Sequence, residues 1–163
     1  KVISSAENIP APDKSTAAVV SVTASNFLAN PILHEEVFGP FSVVVICNDY
    51  AEMKRVAEVM EGQLTSTIIA TPNDAQANQD IIEIVSSKCG RMIMNGVPTG
   101  VEVCLAMHHG GPFPASTDSR FTSVGADAIK RFARPISFQN FPDQLLPEEL
   151  KSENPLLINR IVE

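Results

Sequence analysis

The sequence lacks the features that mark membrane, nucleic-acid-binding and secreted proteins. No apolar run approaches the roughly 18 residues that a membrane-spanning helix needs. Its 12 basic residues are outnumbered by 19 acidic ones, and the net charge of −7 argues against a nucleic-acid partner. The 3 cysteines are widely spaced and form no C-x-x-C pair, which is typical of a reduced protein. We therefore expect a cytoplasmic protein that binds neither membrane nor nucleic acid.

Several motifs of common chemistry are also missing. Neither Gly-x-Ser-x-Gly nor a glycine-rich phosphate loop occurs. His108 and His109 are adjacent and His34 is distant, so the histidines lack the spacing of zinc ligands. The cysteines are better interpreted as small, buried apolar side chains than as reactive residues. The sequence thus predicts no metal site.

Apolar, β-rich segments alternate with amphipathic helical segments along the chain. A helix over 50–61 begins after the capping pair Asn48-Asp49 and ends at Gly62, and a second helix is predicted over 75–88. Short connections between such elements predict a parallel sheet with right-handed crossovers and ligands at its carboxyl edge. We therefore predict an α/β fold with a three-layer parallel-sheet half-domain of β-α-β-α-β order. The predicted strands are 17–24, 41–47, 64–70 and 91–95.

The remaining segments define the domain organisation. Residues 96–121 are rich in Gly and Pro and have no lasting periodicity, and loops of that length are usually functional or disordered. Helical spacing returns over 123–133 and ends before Pro135. The predicted divisions are a flexible start (1–16), an α/β part (17–135), a short strand (136–140) and a tail (141–163).

The run Leu-His-Glu-Glu-Val-Phe-Gly-Pro-Phe-Ser over 33–42 is the most specific feature of the chain. Its Gly-Pro step forces a sharp turn directly before a strand. The turn presents Glu36 and Phe38 at the mouth of that strand. A carboxylate there can accept hydrogen bonds from sugar hydroxyls, and a ring can pack on a flat ligand. Without the surrounding motif, Glu36 would be interpreted as an exposed carboxylate and Phe38 as a ring packed in the core.

This run resembles the Glu-Glu-(Ile/Val)-Phe-Gly-Pro signature of the aldehyde dehydrogenases, and the resemblance extends over residues 17–140. The segment 91–95 is similar to the family's Gly-x-(Val/Ile)-x-(Val/Ile)-Asn strand. Residues 111–113 resemble its Pro-Phe-Gly-Gly region, although Pro114-Ala115 replaces the Gly-Gly pair. The amino-acid sequence of residues 96–125 resembles that of one branch of the family, the NADP-preferring 2,5-dioxopentanoate (α-ketoglutarate semialdehyde) dehydrogenases.

The resemblance implies that this chain is the C-terminal part of an aldehyde dehydrogenase catalytic domain. It implies that Glu36 and Phe38 contact the nicotinamide-ribose half of NADP or NAD, and that the loop after 95 borders the substrate channel. The substrate would be a small aldehyde. The strand 136–140 would join a neighbouring subunit's sheet in a homo-oligomer. The implied substrate-channel residues are Pro98, Thr99, Gly100, His109 and Phe113.

The family's catalytic groups are missing from this sequence. The thiol lies in a Gly-Gln-x-Cys context and the general base in Glu-Leu-Gly-Gly, and neither motif occurs. The nucleotide-binding half is absent too. We therefore expect no catalytic residue in this chain and no dehydrogenase activity from the chain alone. The sequence begins with neither Met nor the apolar region of a signal peptide. We therefore expect it to be a piece of a longer polypeptide.

Other interpretations remain open at the level of sequence. The α/β alternation also suits a free-standing ligand-binding module, because a fold does not imply one function. A third interpretation is an assembly piece that acts through residues 136–140. Within the enzyme class, the substrate-side loop could belong to another aldehyde dehydrogenase branch.

Overall fold

A computed structural model describes residues 1–5, 15–98 and 100–160, and its elements confirm the predicted α/β class. Lys1–Arg131 and Phe132–Glu163 form two compact units. Within the described ranges, no helix is long and apolar enough to cross a membrane. The strands are β1 (Val2–Ser5), β2 (Ala18–Thr23), β3 (Phe41–Ile46), β4 (Gln63–Ile68) and β5 (Cys89–Met94). The α-helices are α1 (Ala24–Ala29), α2 (Tyr50–Val59), α3 (Pro72–Ala77) and α4 (Gln79–Ser86). Short 3-10 helices span Pro31–His34, Ala126–Phe132, Asp143–Leu145 and Glu148–Leu150.

The described strands form two sheets rather than one. The first has the order β1-β2-β3 and the second pairs β4 with β5. β2 runs parallel to β3, and β4 runs parallel to β5. The predicted parallel pairing is therefore confirmed. β3 and β4 are not hydrogen-bonded to each other in the described part of the chain, and the three-layer arrangement stays a prediction.

The predicted flexible start is wrong for residues 2–5. Val2–Ser5 forms β1, which pairs antiparallel with β2. The backbone nitrogen of Lys1 donates to the Ser21 carbonyl (2.8 Å), and the Ser21 N–H donates to the Lys1 carbonyl (2.7 Å). Backbone groups on the free edge of β2 hold this segment, so a side-chain pattern did not reveal it. Residues 6–14 of the predicted start lie outside the described residues.

The helices follow their capping residues. Asp49 caps α2 by accepting a hydrogen bond from the Glu52 N–H (2.8 Å), as the sequence predicts. The helix predicted over 75–88 is instead two helices, α3 and α4. They are separated at Asn78, whose side-chain amide donates to the Asp74 carbonyl (2.7 Å). An Asn side chain that competes for backbone carbonyls is a recognised cause of such breaks.

The C-terminal part contains less regular structure than the sequence predicts. The helix expected over 123–133 is a shorter 3-10 helix, Ala126–Phe132. It follows Gly125, whose φ of 103° is left-handed and does not continue a helix. Residues 136–140 do not form a strand in this chain. A strand that joins a neighbouring subunit's sheet finds its hydrogen-bond partners in that subunit. The oligomerisation role of residues 136–140 therefore stays a prediction.

The chain buries little of its apolar surface. Among the described residues, the buried apolar side chains are those of Ala24, Phe27 and Ala57. In β3, by contrast, Val44 is 44% exposed and Ile46 54% exposed. Parallel strands are normally covered on both faces. The described residues therefore leave uncovered a surface that a complete α/β domain would bury.

Candidate functional site

The signature turn leads directly into the amino end of β3. The Phe41 N–H donates to the Gly39 carbonyl (2.8 Å), which closes a tight turn at the Gly-Pro step. Glu36 is exposed, and Phe38 is 97% exposed. Within the described ranges neither side chain makes a hydrogen bond or a ring contact. Both side chains are therefore available to a ligand, whereas the alternative that Phe38 is a core ring is wrong.

Two cavities meet at Glu36, and we call the space they form the amino-end groove. One, of about 510 Å³, is lined by residues 34–39 together with Phe41, Val43 and Gln63. The other, of about 380 Å³, is lined by Glu36, residues 61–65, Pro114 and Ala115. The groove thus lies at the amino ends of β3 and β4.

The loop 108–115 passes close to the starts of β4 and β5. A Cβ at Gly62 would clash with the Pro112 carbonyl oxygen, and one at Gly111 with the Gln63 carbonyl oxygen. Only glycine permits backbones to approach so closely. These glycines bring the segment that contains His109 and Phe113 to the amino ends of the strands.

His109 is held in place by hydrogen bonds to its backbone. Its N–H donates to the Thr122 hydroxyl (2.8 Å), and the Ser123 hydroxyl donates to its carbonyl (3.0 Å). The ring Nδ1 is buried and has no hydrogen-bond partner in the described structure. His109 also lines a cavity of about 380 Å³ with Leu64, Pro114 and Ala115.

The other implied substrate-channel residues are divided between two places. Phe113 is 80% exposed and is followed by a cis peptide bond to Pro114, one of the residues that line the amino-end groove. Pro98 and Gly100 instead follow the carboxyl end of β5, where Arg91 Nη1 donates to the Gly100 carbonyl (3.0 Å). Thr99 lies outside the described residues. No described cavity contains both Glu36 and either Pro98 or Gly100.

Asn95 joins the carboxyl ends of β4 and β5. It has a left-handed φ of 51°. Its Oδ1 accepts from the Ala70 N–H, and its Nδ2 donates to the Ala70 carbonyl, both at 2.9 Å. The side chain thus mimics a backbone hydrogen-bonded pair. Asparagine is among the few residues that tolerate this conformation.

The sequence analysis missed an exposed polar cluster at the same end of the molecule. The Tyr50 hydroxyl donates to Asp80, and Lys54 Nζ lies 2.9 Å from the same carboxylate. Lys54 and, secondarily, Tyr50 lower the pKa of Asp80 to about 2. In return, Asp80 raises the pKa values of Lys54 and Tyr50. The partners are 26 and 30 positions apart in sequence, and no short motif signals the cluster.

None of the cysteines is disulfide-bonded, and Cys47 is not an activated nucleophile. All 3 are free and half-buried. Burial, followed by the nearby carboxylates of Glu52 and Asp49, raises the pKa of the Cys47 thiol. A thiol with a raised pKa is a poor nucleophile at neutral pH. The described residues also include no group of three or more His, Cys, Asp or Glu side chains placed to hold a metal ion.

Similarity to known proteins decides the family. No protein-family model matches the sequence. The α-ketoglutaric semialdehyde dehydrogenase 2 of Azospirillum brasilense is 51% identical over 144 residues, which are 88% of this chain and 27% of that protein. The α-ketoglutaric semialdehyde dehydrogenase of Acinetobacter baylyi is 51% identical over 133 residues, which are 82% of this chain and 25% of that protein. The resemblance to the aldehyde dehydrogenase family is thereby confirmed. This chain spans about a quarter of the length of these family members.

Proposed function

We propose that this chain is the C-terminal part of an NADP- or NAD-dependent aldehyde dehydrogenase that oxidises a small semialdehyde, 2,5-dioxopentanoate, to the carboxylic acid. The names of both relatives support the substrate. The geometric observation that carries the proposal is the exposed pair Glu36 and Phe38 beside the amino-end groove. The protein would act in the cytoplasm as a homo-oligomer, with residues 136–140 joining a neighbouring subunit.

The residues beside the groove fit the nicotinamide-ribose half of such a cofactor. Ribose hydroxyls need acceptors, and the Glu36 carboxylate is exposed without a hydrogen-bond partner in the described structure. A flat ring needs an aromatic or apolar face, which Phe38 offers. The bound cofactor would supply the hydride acceptor. Glu36 would hold the ribose in place, and errors in position act on the reaction barrier more than on binding.

The substrate side of the site would come from the loop after β5. His109 and Phe113 lie near the amino-end groove, and His109 lines the adjoining cavity with Pro114 and Ala115. Pro98, Thr99 and Gly100 would border the channel from the other end of the loop. Pro114-Ala115, which replaces the family's Gly-Gly pair, lines the amino-end groove. This replacement would therefore shape the site directly.

The chain alone would be inactive. It contains neither Gly-Gln-x-Cys nor Glu-Leu-Gly-Gly, and the raised pKa of Cys47 makes that thiol a poor substitute. A free-standing binding module is the weaker candidate, because the described residues bury only 3 apolar side chains. Aldehyde-dependent NADPH or NADH formation by the purified chain would overturn the proposed inactivity.

The test of the cofactor site is Glu36→Gln in the full-length enzyme that contains this chain. We expect the single-turnover rate of hydride transfer, followed by reduced-cofactor absorbance, to fall at least tenfold while cofactor affinity changes little. Glu35→Gln is the matched control, since Glu35 precedes Glu36 in the same signature. Unchanged hydride transfer in Glu36→Gln, or an equal loss in both variants, would contradict the assigned role.

A further inference from the structure

The imidazole of His34 ties the signature turn to helix α1. His34 ends the short 3-10 helix before β3 and lies two positions before Glu36. Its ring Nε2 lies 2.9 Å from the carbonyl oxygen of Phe27 in α1. Because a carbonyl oxygen can only accept, Nε2 carries the proton and donates this hydrogen bond.

The partner of His34 is a fixed part of the fold. Phe27 is only 6% exposed, and α1 packs on β2, β3 and α2. The rings of Phe27 and His34 lie 4.5 Å apart between centroids, with 34° between their planes. A ring contact and a hydrogen bond therefore hold His34 against a residue that packing has already placed.

The segment after His34 has little else to hold it. Residues 36–38, which include both proposed cofactor contacts, make no hydrogen bond within the described ranges. The turn is next tied to a strand where the Ala18 N–H donates to the Pro40 carbonyl (3.0 Å). Glu36 therefore lies between two anchors, of which His34 is the nearer. Two residues of chain span at most about 7 Å, so a shift at His34 is passed on to Glu36.

We propose that His34 is a positioning residue of the cofactor site, which acts through Glu36 and not by touching the cofactor. The inference rests on the proposed function, in which Glu36 holds the ribose of the nicotinamide half. The hydrogen bond from His34 to Phe27 fixes where the chain leaves the 3-10 helix, and hence where the Glu36 carboxylate lies. Errors in that position raise the barrier to hydride transfer more than they weaken binding.

The test compares two amide side chains at position 34 of the full-length enzyme that contains this chain. The amide nitrogen of Gln reaches the place of the imidazole Nε2, whereas that of Asn reaches only the place of Nδ1. His34→Gln can therefore keep the hydrogen bond to Phe27, and His34→Asn cannot. We expect the single-turnover rate of hydride transfer to fall about fivefold in His34→Asn and less than about twofold in His34→Gln. The dissociation constant for the cofactor should stay within about twofold of native in both variants.

Asn30→Ala is the matched control for a general loss of stability. The side-chain amide of Asn30 donates to the Asn26 carbonyl of α1 (2.7 Å). This variant therefore also removes a side-chain hydrogen bond to α1, but it leaves His34 in place. Asn30→Ala and His34→Asn should lower the midpoint of thermal unfolding by similar amounts, because each loses one hydrogen bond. Hydride transfer should slow in His34→Asn alone.

A double-mutant cycle tests whether His34 acts through Glu36. In the Glu36→Gln background, His34→Asn should slow hydride transfer by less than about twofold, because the side chain that His34 positions is already altered. His34 also lines the cavity of about 510 Å³, so its ring could instead touch the cofactor. Equal slowing in both backgrounds, or a weaker cofactor affinity in His34→Asn, would indicate such a direct contact. Either result would overturn the inference.

A third variant separates the hydrogen bond from the ring contact. His34→Phe keeps a ring beside Phe27 but has no donor, so it should slow hydride transfer as His34→Asn does. It also provides the test if His34→Asn fails to fold. A native rate in His34→Phe, or equal slowing in His34→Gln and His34→Asn, would assign the effect to the ring and refute the role of the hydrogen bond.

The same measurements distinguish this inference from the proposed function. Slow hydride transfer in Glu36→Gln together with a native rate in His34→Asn would refute the positioning role and leave the assigned cofactor contact intact. Unchanged hydride transfer in Glu36→Gln would refute both.

Discussion

The two ends of the parallel strands differ in how their polar side chains are used. At the carboxyl ends, Asn95 pairs with Ala70, and Asp80 binds both Tyr50 and Lys54. At the amino ends, Glu36 and the His109 Nδ1 have no hydrogen-bond partner within the described structure. Polar groups that satisfy one another stabilise the fold, whereas an exposed carboxylate without a partner beside a cavity, such as that of Glu36, is available to a ligand.

The proposed cofactor contact thus lies at the amino ends, whereas the hydrogen-bonded polar side chains of Asn95 and Asp80 lie at the carboxyl ends. In an open α/β sheet, ligands usually bind at the carboxyl ends of the strands. Here the signature turn precedes β3, so Glu36 and Phe38 lie at its amino end. The next three predictions test this assignment from the largest expected effect to the smallest.

Asn95→Gly should give the largest loss of stability. Glycine keeps the left-handed backbone but removes both hydrogen bonds to Ala70. At roughly 0.5–1.5 kcal/mol for each of the two hydrogen bonds, the free energy of unfolding should fall by about 1–3 kcal/mol in urea titrations. Asn140→Gly is the control, because Asn140 has φ 54° and no hydrogen-bond partner in the described residues. Equal effects at both positions would refute a specific role for Asn95.

Asp80→Asn should destabilise the chain in a pH-dependent way. The native pKa of Asp80 is about 2, below its ordinary value of 3.8. Its contribution is therefore complete above pH 3.8 and is lost as pH falls through about 2. Urea midpoints of native and Asp80→Asn chains should differ at pH 7 and converge between about pH 4 and 2.

Tyr50→Phe is the companion variant for Asp80. It removes the phenol but keeps the Lys54–Asp80 pair, so it should retain part of the acid-dependent contribution. The cluster is exposed, and the effect should therefore shrink as salt is added. A difference between native and Asp80→Asn chains that stays constant from pH 7 to 2 would contradict the assigned pKa.

Phe38→Ala should have the smallest effect on stability. A ring that is 97% exposed contributes little to the fold, so the free energy of unfolding should change by less than about 0.5 kcal/mol. The same variant in the full-length enzyme should raise the dissociation constant for the cofactor. Phe27→Ala is the stability control, because Phe27 is buried. A loss of stability in Phe38→Ala comparable to that in Phe27→Ala would remove the distinction between the two ends.

The sequence predicted those elements whose bounds depend on interactions between neighbouring residues. Asp49 predicted the start of α2, and the Gly-Pro step predicted the turn before β3. The parallel pairing also followed from the alternation of strands and helices. β1 was missed because backbone groups of Lys1 and Ser21 hold it in place. The break at Asn78 was missed because it depends on one side chain bonding to Asp74.

The sequence by itself determined the α/β class, the resemblance to the aldehyde dehydrogenases and the exposed turn with Glu36 and Phe38. These follow from short-range patterning and from one specific motif. Only the tertiary structure decided that the sheet is divided between β3 and β4, that Asn95 joins Ala70, and that Asp80 gathers Tyr50 and Lys54. Such contacts join residues far apart in the chain, and spacing along a sequence does not encode their distances in space.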